Sequence, residues 1–316
     1  MKKLAILLLT ALLLLPLLAG ADEIIPANEK HPRPEIENVG EDGYLVNEDE
    51  EFIYEDAEEG LWLYVSHDLR VEIDRYTASN MQLIWYTAHI WQKDGDGMHT
   101  FLSNPAKPFE DRMWVEQIAR KYQLVFAMNG DFYEDRVGNM PIGCIIRNGK
   151  VINTKPSIRS EIPTLDILAL FSDGTMRCFG GRSNTADEYL AMGVTDTISF
   201  GPILIRDGAV NEKQLVDMGR AREPRTALGM VEKGHYVAML VEGRTENSIG
   251  SRHIETAEMM AKEGCVEALN LDGGQTAVMC FMGTKLNVTG QYGKGSEQRL
   301  VTDIVGIGHS VQVTEK

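Results

Sequence analysis

Cysteine is scarce in this sequence, and positive charge is in the minority. Four cysteines occur in 316 residues, none of them in a C-x-x-C pair: Cys144, Cys178, Cys265 and Cys280. This spacing argues against a zinc ribbon or a thioredoxin-type site, and the number is too small for a disulfide scaffold of this length. The pattern does not determine whether the cysteines form two disulfides or pack as free thiols.

Acidic side chains outnumber basic ones by 47 to 31, which gives a formal net charge of −16. A surface of this sign repels phosphate backbones, so we expect no nucleic-acid partner. Hydrophobic residues make up 43% and charged residues 25%, values typical of a folded globular chain. Repeated apolar stretches of roughly 20 residues are missing, which argues against a polytopic membrane protein.

The N-terminus has the three parts of an export signal. Met1-Lys2-Lys3 is positively charged, Leu4 to Leu18 is apolar apart from Thr10 and Pro16, and Ala19-Gly20-Ala21 is a small-residue cleavage site. We predict a signal peptide over residues 1–21 and a secreted or envelope-associated protein without a stable membrane span after cleavage. An uncleaved anchor is the weaker alternative, because the apolar stretch is short for a span.

Residues 22–60 are strongly acidic, with 15 carboxylates against Lys30 and Arg33. Three prolines and little apolar periodicity accompany this charge, so we predict a disordered spacer. A tail that binds calcium or a partner is the alternative. Residues 61–316 are then expected to form one domain, since no long linker interrupts them.

The remaining pattern predicts an α/β (mixed α+β) fold, with a mixed, strand-rich sheet core flanked by helices. Segments rich in β-branched and aromatic residues predict many strands. Amphipathic spacing predicts helices over Phe109–Tyr122 and Arg252–Gly264. Asn148-Gly149 and Asp173-Gly174 stand between apolar runs, which is typical of β-hairpin turns.

Three predicted strands run into, or start from, small and polar residues. Glycine at such places lets backbone approach a ligand closely, and the charged groups lie where a sheet opens to solvent. N-G and D-G-G are also ordinary turns, so each segment alone is weak evidence. Together they predict one site built from Asn129, Gly130 and Asp131, from Arg225 and Thr226, and from Asn270, Asp272, Gly273 and Gly274.

The order of these segments resembles the phosphodiester glycosidase family. The resemblance spans about Met81 to Gly308 and is carried by AMNGDFY, GCIIRNGKVI, FGPILIRDG, EPRTALG, VEGRTENSIGSRHIETAE and ALNLDGG. It implies that Glu242 and Glu255 join the site, with Glu255 matching the glutamate of the family's E-x-A helix. One departure concerns Gln275, which stands where the family commonly has a further glycine.

The resemblance implies a carbohydrate phosphodiester as substrate and hydrolysis of its glycosidic bond. Such a reaction needs a cation on the phosphate and a carboxylate near the anomeric carbon. We assign the phosphate to Arg225, with help from Arg244, and the acid, base or nucleophile roles to Asp272 and Glu255 in undetermined order. Asn129 and Asp131 are expected to orient sugar hydroxyls or a carboxylate.

Two other functions remain open at this level. The first is a non-catalytic glycan-binding envelope protein, an alternative based on the departure from the family pattern at Gln275. A metal-dependent phosphodiesterase would use Asp131, Glu242, Glu255 and Asp272 as oxygen ligands. We expect no cofactor, because spacing does not support a divalent metal such as calcium: Asp94-Gly95-Asp96-Gly97 lacks the later glutamate of an EF-hand.

Overall fold

The computed structural model describes residues 30–93, 95, 97–131, 133–134, 140–154, 165–217, 221–290 and 298–314. The predicted signal peptide, Asp94 and Asp96 lie outside these residues. The strands of the described part are β1 Phe52–Asp56, β2 Leu61–Val65, β3 Leu69–Ala78, β4 Leu83–Gln92, β5 His99–Leu102, β6 Phe126–Asn129, β7 Tyr133–Glu134, β8 Met140–Pro141, β9 Ile145–Arg147, β10 Lys150–Asn153, β11 Asp166–Phe171, β12 Met176–Phe179, β13 Val194–Phe200, β14 Ile203–Arg206, β15 Ala209–Val210, β16 Arg225–Glu232, β17 His235–Val241, β18 Glu267–Leu271, β19 Met279–Phe281, β20 Thr284–Lys285 and β21 Asp303–Ile307. The helices are α1 Val115–Lys121, α2 Ala186–Ala191, α3 Glu212–Asp217 and α4 His253–Lys262, with short 3-10 turns at Ser79–Met81 and Gly274–Thr276.

Two antiparallel sheets form the body of the molecule. The larger has nine strands in the order β1-β2-β3-β4-β17-β16-β18-β14-β15, and the smaller has five in the order β20-β19-β6-β21-β5. A three-stranded sheet, β12-β11-β13, and the hairpins β9–β10 and β7–β8 complete the described strands. Strands β16 and β18 are neighbours in the large sheet, and β6 is central in the small one.

The main core lies between the two sheets. Ile73, Ile90 and Leu240 of the large sheet are fully buried in one cluster with Phe126 and Val305 of the small sheet. Helix α4 covers the opposite face of the large sheet through Ala257, Met259 and Met260. Helix α1 covers the opposite face of the small sheet through Val115, Ile118 and Ala119. The two sheets therefore face each other, and their strand ends can meet at one edge of the core.

The fold is strand-rich with few helices, so the predicted strand-rich core is present but the broader α/β description is only partly met. The expected mixed sheet is wrong for the described residues, where every strand pair is antiparallel. Helix α1 begins at Val115 rather than Phe109. Phe109 has a positive φ, and Met113 is bridged to Val301, which keeps the chain extended before the helix.

Other local predictions agree with the structure. Helix α4 begins at His253 and ends at Lys262, close to the predicted bounds. Asn148 and Gly149 both have positive φ and connect β9 to β10 as a two-residue turn. Among the described helices, none is long and apolar enough to cross a membrane. The four cysteines are free thiols.

The predicted spacer is wrong for residues 30–60. Phe52–Asp56 is an edge strand of the large sheet, paired with β2, so the domain begins before residue 61. Leu45 is buried against Leu63 and Val65. The Arg33 guanidinium reaches Asp74 Oδ2 at 2.6 Å and Glu72 Oε2 at 2.9 Å. The apolar contacts of Leu45 and the two ion pairs of Arg33 offset the charge repulsion on which the prediction of disorder was based.

Candidate active site

Three strand ends from the two sheets meet at one backbone carbonyl. Asn129 ends β6, and its Nδ2 donates to the carbonyl oxygen of Asp272 at 2.8 Å. Thr226, near the start of β16, donates its hydroxyl to the same oxygen at 2.9 Å. Asn129 Nδ2 also lies 3.3 Å from Thr226 Oγ1. Residues remote in sequence are thus joined by hydrogen bonds just after β18.

Arg225 stands beside this junction as the first residue of β16. Its Nε donates to the carbonyl of Ser251 at 3.2 Å, and its Nη2 makes a long contact of 3.5 Å to the carbonyl of Ala221. No carboxylate of the described residues lies within ion-pair distance of its guanidinium. Burial lowers the pKa of Arg225 to about 10, with Glu223 opposing the shift and Arg244 adding to it. The group remains charged at neutral pH and has unused donors.

Two glycines bring Asp272 against the segment that carries Arg225. A Cβ on Gly273 would lie 2.3 Å from the carbonyl oxygen of Pro224, and Gly274 has φ +62°. The Gly274 amide donates to that same Pro224 oxygen at 3.0 Å. Only residues without a side chain allow this approach, which explains the glycine pair after the aspartate.

The Asp272 carboxylate is partly open to solvent, with 15% of its side chain exposed. Arg299 Nη1 lies 3.8 Å from its Oδ2 and donates to Thr276 Oγ1 at 3.4 Å. The Arg299 amide also donates to the carbonyl of Gln275 at 2.9 Å. The departure from the family pattern therefore lies in a turn that Arg299 holds next to Asp272.

Arg244 is the second predicted cation, and it approaches the same turn. Its Nε donates to Glu223 Oε2 at 2.6 Å. Its Nη1 would lie 3.1 Å from a Cβ built on Gly274, so the guanidinium packs over the glycine turn. Arg225, Arg244 and Asp272 are thus gathered around Gly273 and Gly274.

Glu255, the second predicted catalytic carboxylate, is almost completely buried. Only 1% of its side chain is exposed. Its carboxylate contacts Arg222 Nη2, and it accepts from the Arg252 side chain at 2.8 Å and from the Arg252 amide at 2.9 Å. The last contact caps the first turn of α4. Glu255 thus orients two arginines and the helix start instead of presenting a carboxylate to solvent.

Glu242 is also engaged elsewhere. Its buried carboxylate accepts from the Val288 amide at 2.7 Å and from the Tyr86 hydroxyl at 3.3 Å. Burial raises its pKa, with these hydrogen bonds opposing the shift. Glu242 fastens the chain at residue 288 to the large sheet, and the described contacts do not bring it to Asp272.

Asp131 belongs to a buried ion cluster with Arg147 and Asp303. Arg147 Nη2 contacts both carboxylates, and the Asp131 amide donates to Asp303 Oδ1 at 3.0 Å. A Cβ on Gly130 would lie 2.7 Å from that Asp303 oxygen, which explains this glycine. Burial raises the pKa of Asp131, against the opposing charge of Arg147. Asp131 is thus turned toward the protein interior.

Asn270 is fully buried one strand position before the site. Its Nδ2 donates to the carbonyls of Gly201 and Leu271, both at 3.0 Å. Its Oδ1 has no hydrogen-bond partner in the part of the chain that the structure describes. Asn270 therefore supports the end of β18 from within the core.

Sequence reasoning missed several charged residues of this region. Arg222, Arg252 and Arg299 frame the site, and Glu223 pairs with Arg244. The one available signal was the density of arginines between residues 220 and 252 in an otherwise acidic chain. Burial and the charge of Arg225 lower the pKa of His253, the first residue of α4, to about 4, so its imidazole is neutral at neutral pH.

The four carboxylates of the alternative metal centre have separate environments. Asp131 contacts Arg147, Glu242 contacts Val288, Glu255 contacts arginines, and Asp272 faces Arg299. Within the described residues, no group of three or more His, Cys, Asp or Glu side chains is arranged to hold a metal ion.

The family profile described as phosphodiester glycosidase matches residues 122–308, which contain every predicted site residue. The chain belongs to the phosphodiester glycosidase family. The resemblance inferred from the motifs is therefore confirmed. Family membership fixes the class of domain, while the role of each residue rests on the geometry above.

Named relatives within the family are distant. The chain is 28% identical over 187 residues to bovine N-acetylglucosamine-1-phosphodiester alpha-N-acetylglucosaminidase, which is 55% of this chain and 34% of that protein. It is 26% identical over 179 residues to the SPbeta prophage-derived uncharacterized protein YomE of Bacillus subtilis strain 168, 56% of this chain and 27% of that protein. The match thus spans between about a quarter and a third of the length of these relatives.

A solved structure supports the fold. The catalytic domain of zebrafish N-acetylglucosamine-1-phosphodiester alpha-N-acetylglucosaminidase superposes with a TM-score of 0.63 at 20% identity, over 78% of this chain and 84% of that one. At this identity the likeness establishes a shared fold.

Proposed function

We infer that this protein is a hydrolase of sugar 1-phosphodiesters that breaks the bond between the anomeric carbon and the phosphate oxygen. The observation that carries the proposal is Arg225, a mostly buried guanidinium without a carboxylate partner in the described residues, held beside Asp272. An anion is the missing partner of such a group. The family supplies the reaction class.

The chemistry fits these two residues. Breaking the bond at the anomeric carbon expels a phosphate monoester, which leaves with little protonation. The site therefore needs a cation for the phosphate and a carboxylate for the oxocarbenium-like transition state or for activating water. We assign the phosphate to Arg225, whose planar fork makes bidentate contacts that lysine cannot copy, and assign Arg244 as its neighbour. Asp272 is the carboxylate.

The other predicted residues act through these three. Asn129 and Thr226 hold the Asp272 carbonyl, and Gly273 and Gly274 permit the tight turn beside it. Glu255 is a positioning residue that acts through Arg222 and Arg252. On the basis of the N-terminal sequence pattern, we propose that the protein is exported. We also propose that an extracellular or envelope glycan is the source of the substrate.

A panel of purified sugar 1-phosphodiesters tests this function. We expect release of free sugar and a phosphate monoester, with Asp272→Asn lowering kcat by roughly a thousandfold or more while the fold is retained. Arg177→Lys, which changes an exposed arginine on β12, is the matched control and should retain wild-type turnover. Wild-type rates in Asp272→Asn would reject the assignment of Asp272.

Two outcomes of the same panel favour the alternatives. Loss of activity with a chelator, together with release of sugar 1-phosphate, would support the metal-dependent phosphodiesterase. Glycan that binds to the protein without being hydrolysed would support the non-catalytic glycan-binding alternative, which is based on Gln275. The separate environments of Asp131, Glu242 and Glu255 weigh against the first of these.

A further inference from the structure

Five arginines lie around the site, and we call them the arginine row: Arg222, Arg225, Arg244, Arg252 and Arg299. Arg222 and Arg252 contact the same oxygen of Glu255. The carbonyl of Ser251, next to Arg252, accepts from Arg225. Arg244 packs over the glycine turn, and Arg299 Nη1 lies 3.8 Å from Asp272 Oδ2.

The row brings five positive charges together around three carboxylates. Among the described residues, four of its five guanidiniums contact Glu223, Glu255 or Asp272. The chain as a whole has a formal net charge of −16. A positive surface in a negative molecule attracts anions locally while the remaining surface repels them.

A single phosphodiester group would contact only part of the arginine row. It carries a single negative charge, which Arg225 is placed to meet. The side chains of Arg222, Arg244, Arg252 and Arg299 are between 24% and 42% exposed. Each guanidinium has five donors, so even the paired arginines have donors to offer to solvent or to a ligand.

We propose that the natural substrate is a polyanionic glycan, with further phosphodiester or other anionic groups besides the one that is cleaved. Arg222, Arg252 and Arg299 contact these further anions. This inference rests on the proposed function, because it concerns the substrate of the same site.

The test compares three substrates with the same scissile bond. The first is a sugar with one methyl phosphodiester, the second is an oligomer of sugars joined by three phosphodiesters, and the third is a neutral oligosaccharide of equal length with one terminal phosphodiester. We expect kcat/KM for the polyanion to exceed that of both others by about tenfold or more at low salt, mainly through KM, and the advantage to shrink as salt screens the row.

Arginine variants locate the preference. Arg252→Gln and Arg299→Gln should each lower the ratio of kcat/KM between the polyanion and the methyl diester, whereas Arg177→Gln should leave that ratio unchanged. Equal kcat/KM on all three substrates would overturn the inference and leave the proposed function standing. Equal preference for the neutral oligosaccharide would also overturn it, because length rather than charge would then be recognised. Turnover of none would reject the proposed function itself.

Discussion

Arg147 and Arg225 differ in how completely their guanidinium groups are satisfied. Arg147 contacts Asp131 and Asp303 and donates to the carbonyls of Ile146 at 2.9 Å and Thr197 at 2.6 Å. Arg225 reaches only backbone carbonyls in the described part of the chain. Arg147 joins the small sheet to its neighbours, whereas Arg225 is the arginine that we propose binds the phosphate.

The pKa values of Arg147 and Arg225 are shifted in opposite directions. Burial disfavours the charge on Arg147, but its two carboxylates outweigh burial and raise its pKa. Burial lowers the pKa of Arg225, and the opposing charge of Glu223 does not offset it. A bound phosphate would supply the missing compensation. Arg147 therefore has the contacts of a structural arginine, whereas Arg225 keeps unused donors beside the partly exposed Asp272, as the proposed phosphate contact requires.

The largest expected effect is on stability, from Arg147→Met. The variant leaves Asp131 and Asp303 buried without a cation, which should lower the free energy of unfolding by about 3–5 kcal/mol. Urea denaturation followed by circular dichroism measures this. Arg225→Met is the paired comparison, and we expect it to cost about 1 kcal/mol or less, since no carboxylate loses a contact partner. Equal losses in the two variants would contradict the comparison.

The comparison also indicates how much the sequence could predict. Strand and glycine patterns located the segments around Asn129, Arg225 and Asp272, and antiparallel pairing of β16 with β18 then brings two of them together. The same patterns assigned Asp131 to the substrate, because its partners are not local. Asp303 lies 172 residues away, and Arg147 stood in a segment interpreted as a hairpin.

The prediction of a disordered spacer at the acidic N-terminal segment was wrong for the same reason. Its composition indicated disorder, but Arg33 pairs with carboxylates 39 and 41 residues away. Glu255 had a clear family match, yet whether its carboxylate faces solvent or Arg222 depends on tertiary packing. Local patterns therefore predict which segments form the site, while the partner of each charged group requires the folded chain.

The second effect is on catalysis, from Arg225→Lys. The ammonium keeps the charge but loses the bidentate geometry, so we expect kcat/KM on a sugar 1-phosphodiester to fall by roughly 30-fold, or about 2 kcal/mol. The free energy of unfolding should change little. Arg177→Lys again serves as the control. Near-normal kcat/KM in Arg225→Lys would contradict the assignment of Arg225 to bidentate binding of the phosphate.

The smallest effect concerns the pH dependence of stability at Arg33. Burial disfavours the charges of Glu72 and Asp74, but Arg70, Arg33 and His31 outweigh burial and hold the pKa of both carboxyls below their ordinary values. Groups with a lowered folded pKa stabilise above their unfolded pKa, near 4, and lose that contribution as pH falls through the folded value. Arg33→Met should therefore cost about 1 kcal/mol at pH 7 and less at pH 3. Urea midpoints at both values measure this, and a constant difference would contradict the assignment.

Hydrolysis of a sugar 1-phosphodiester in heavy-oxygen water tests the central claim most directly. If Arg225 holds the phosphate while the bond at the anomeric carbon breaks, the phosphate monoester keeps all of its original oxygens. Phosphorus NMR should then show no isotope shift in that product. Heavy oxygen in the phosphate would mean that the bond to phosphorus breaks, and it would contradict the mechanism proposed for Arg225 and Asp272.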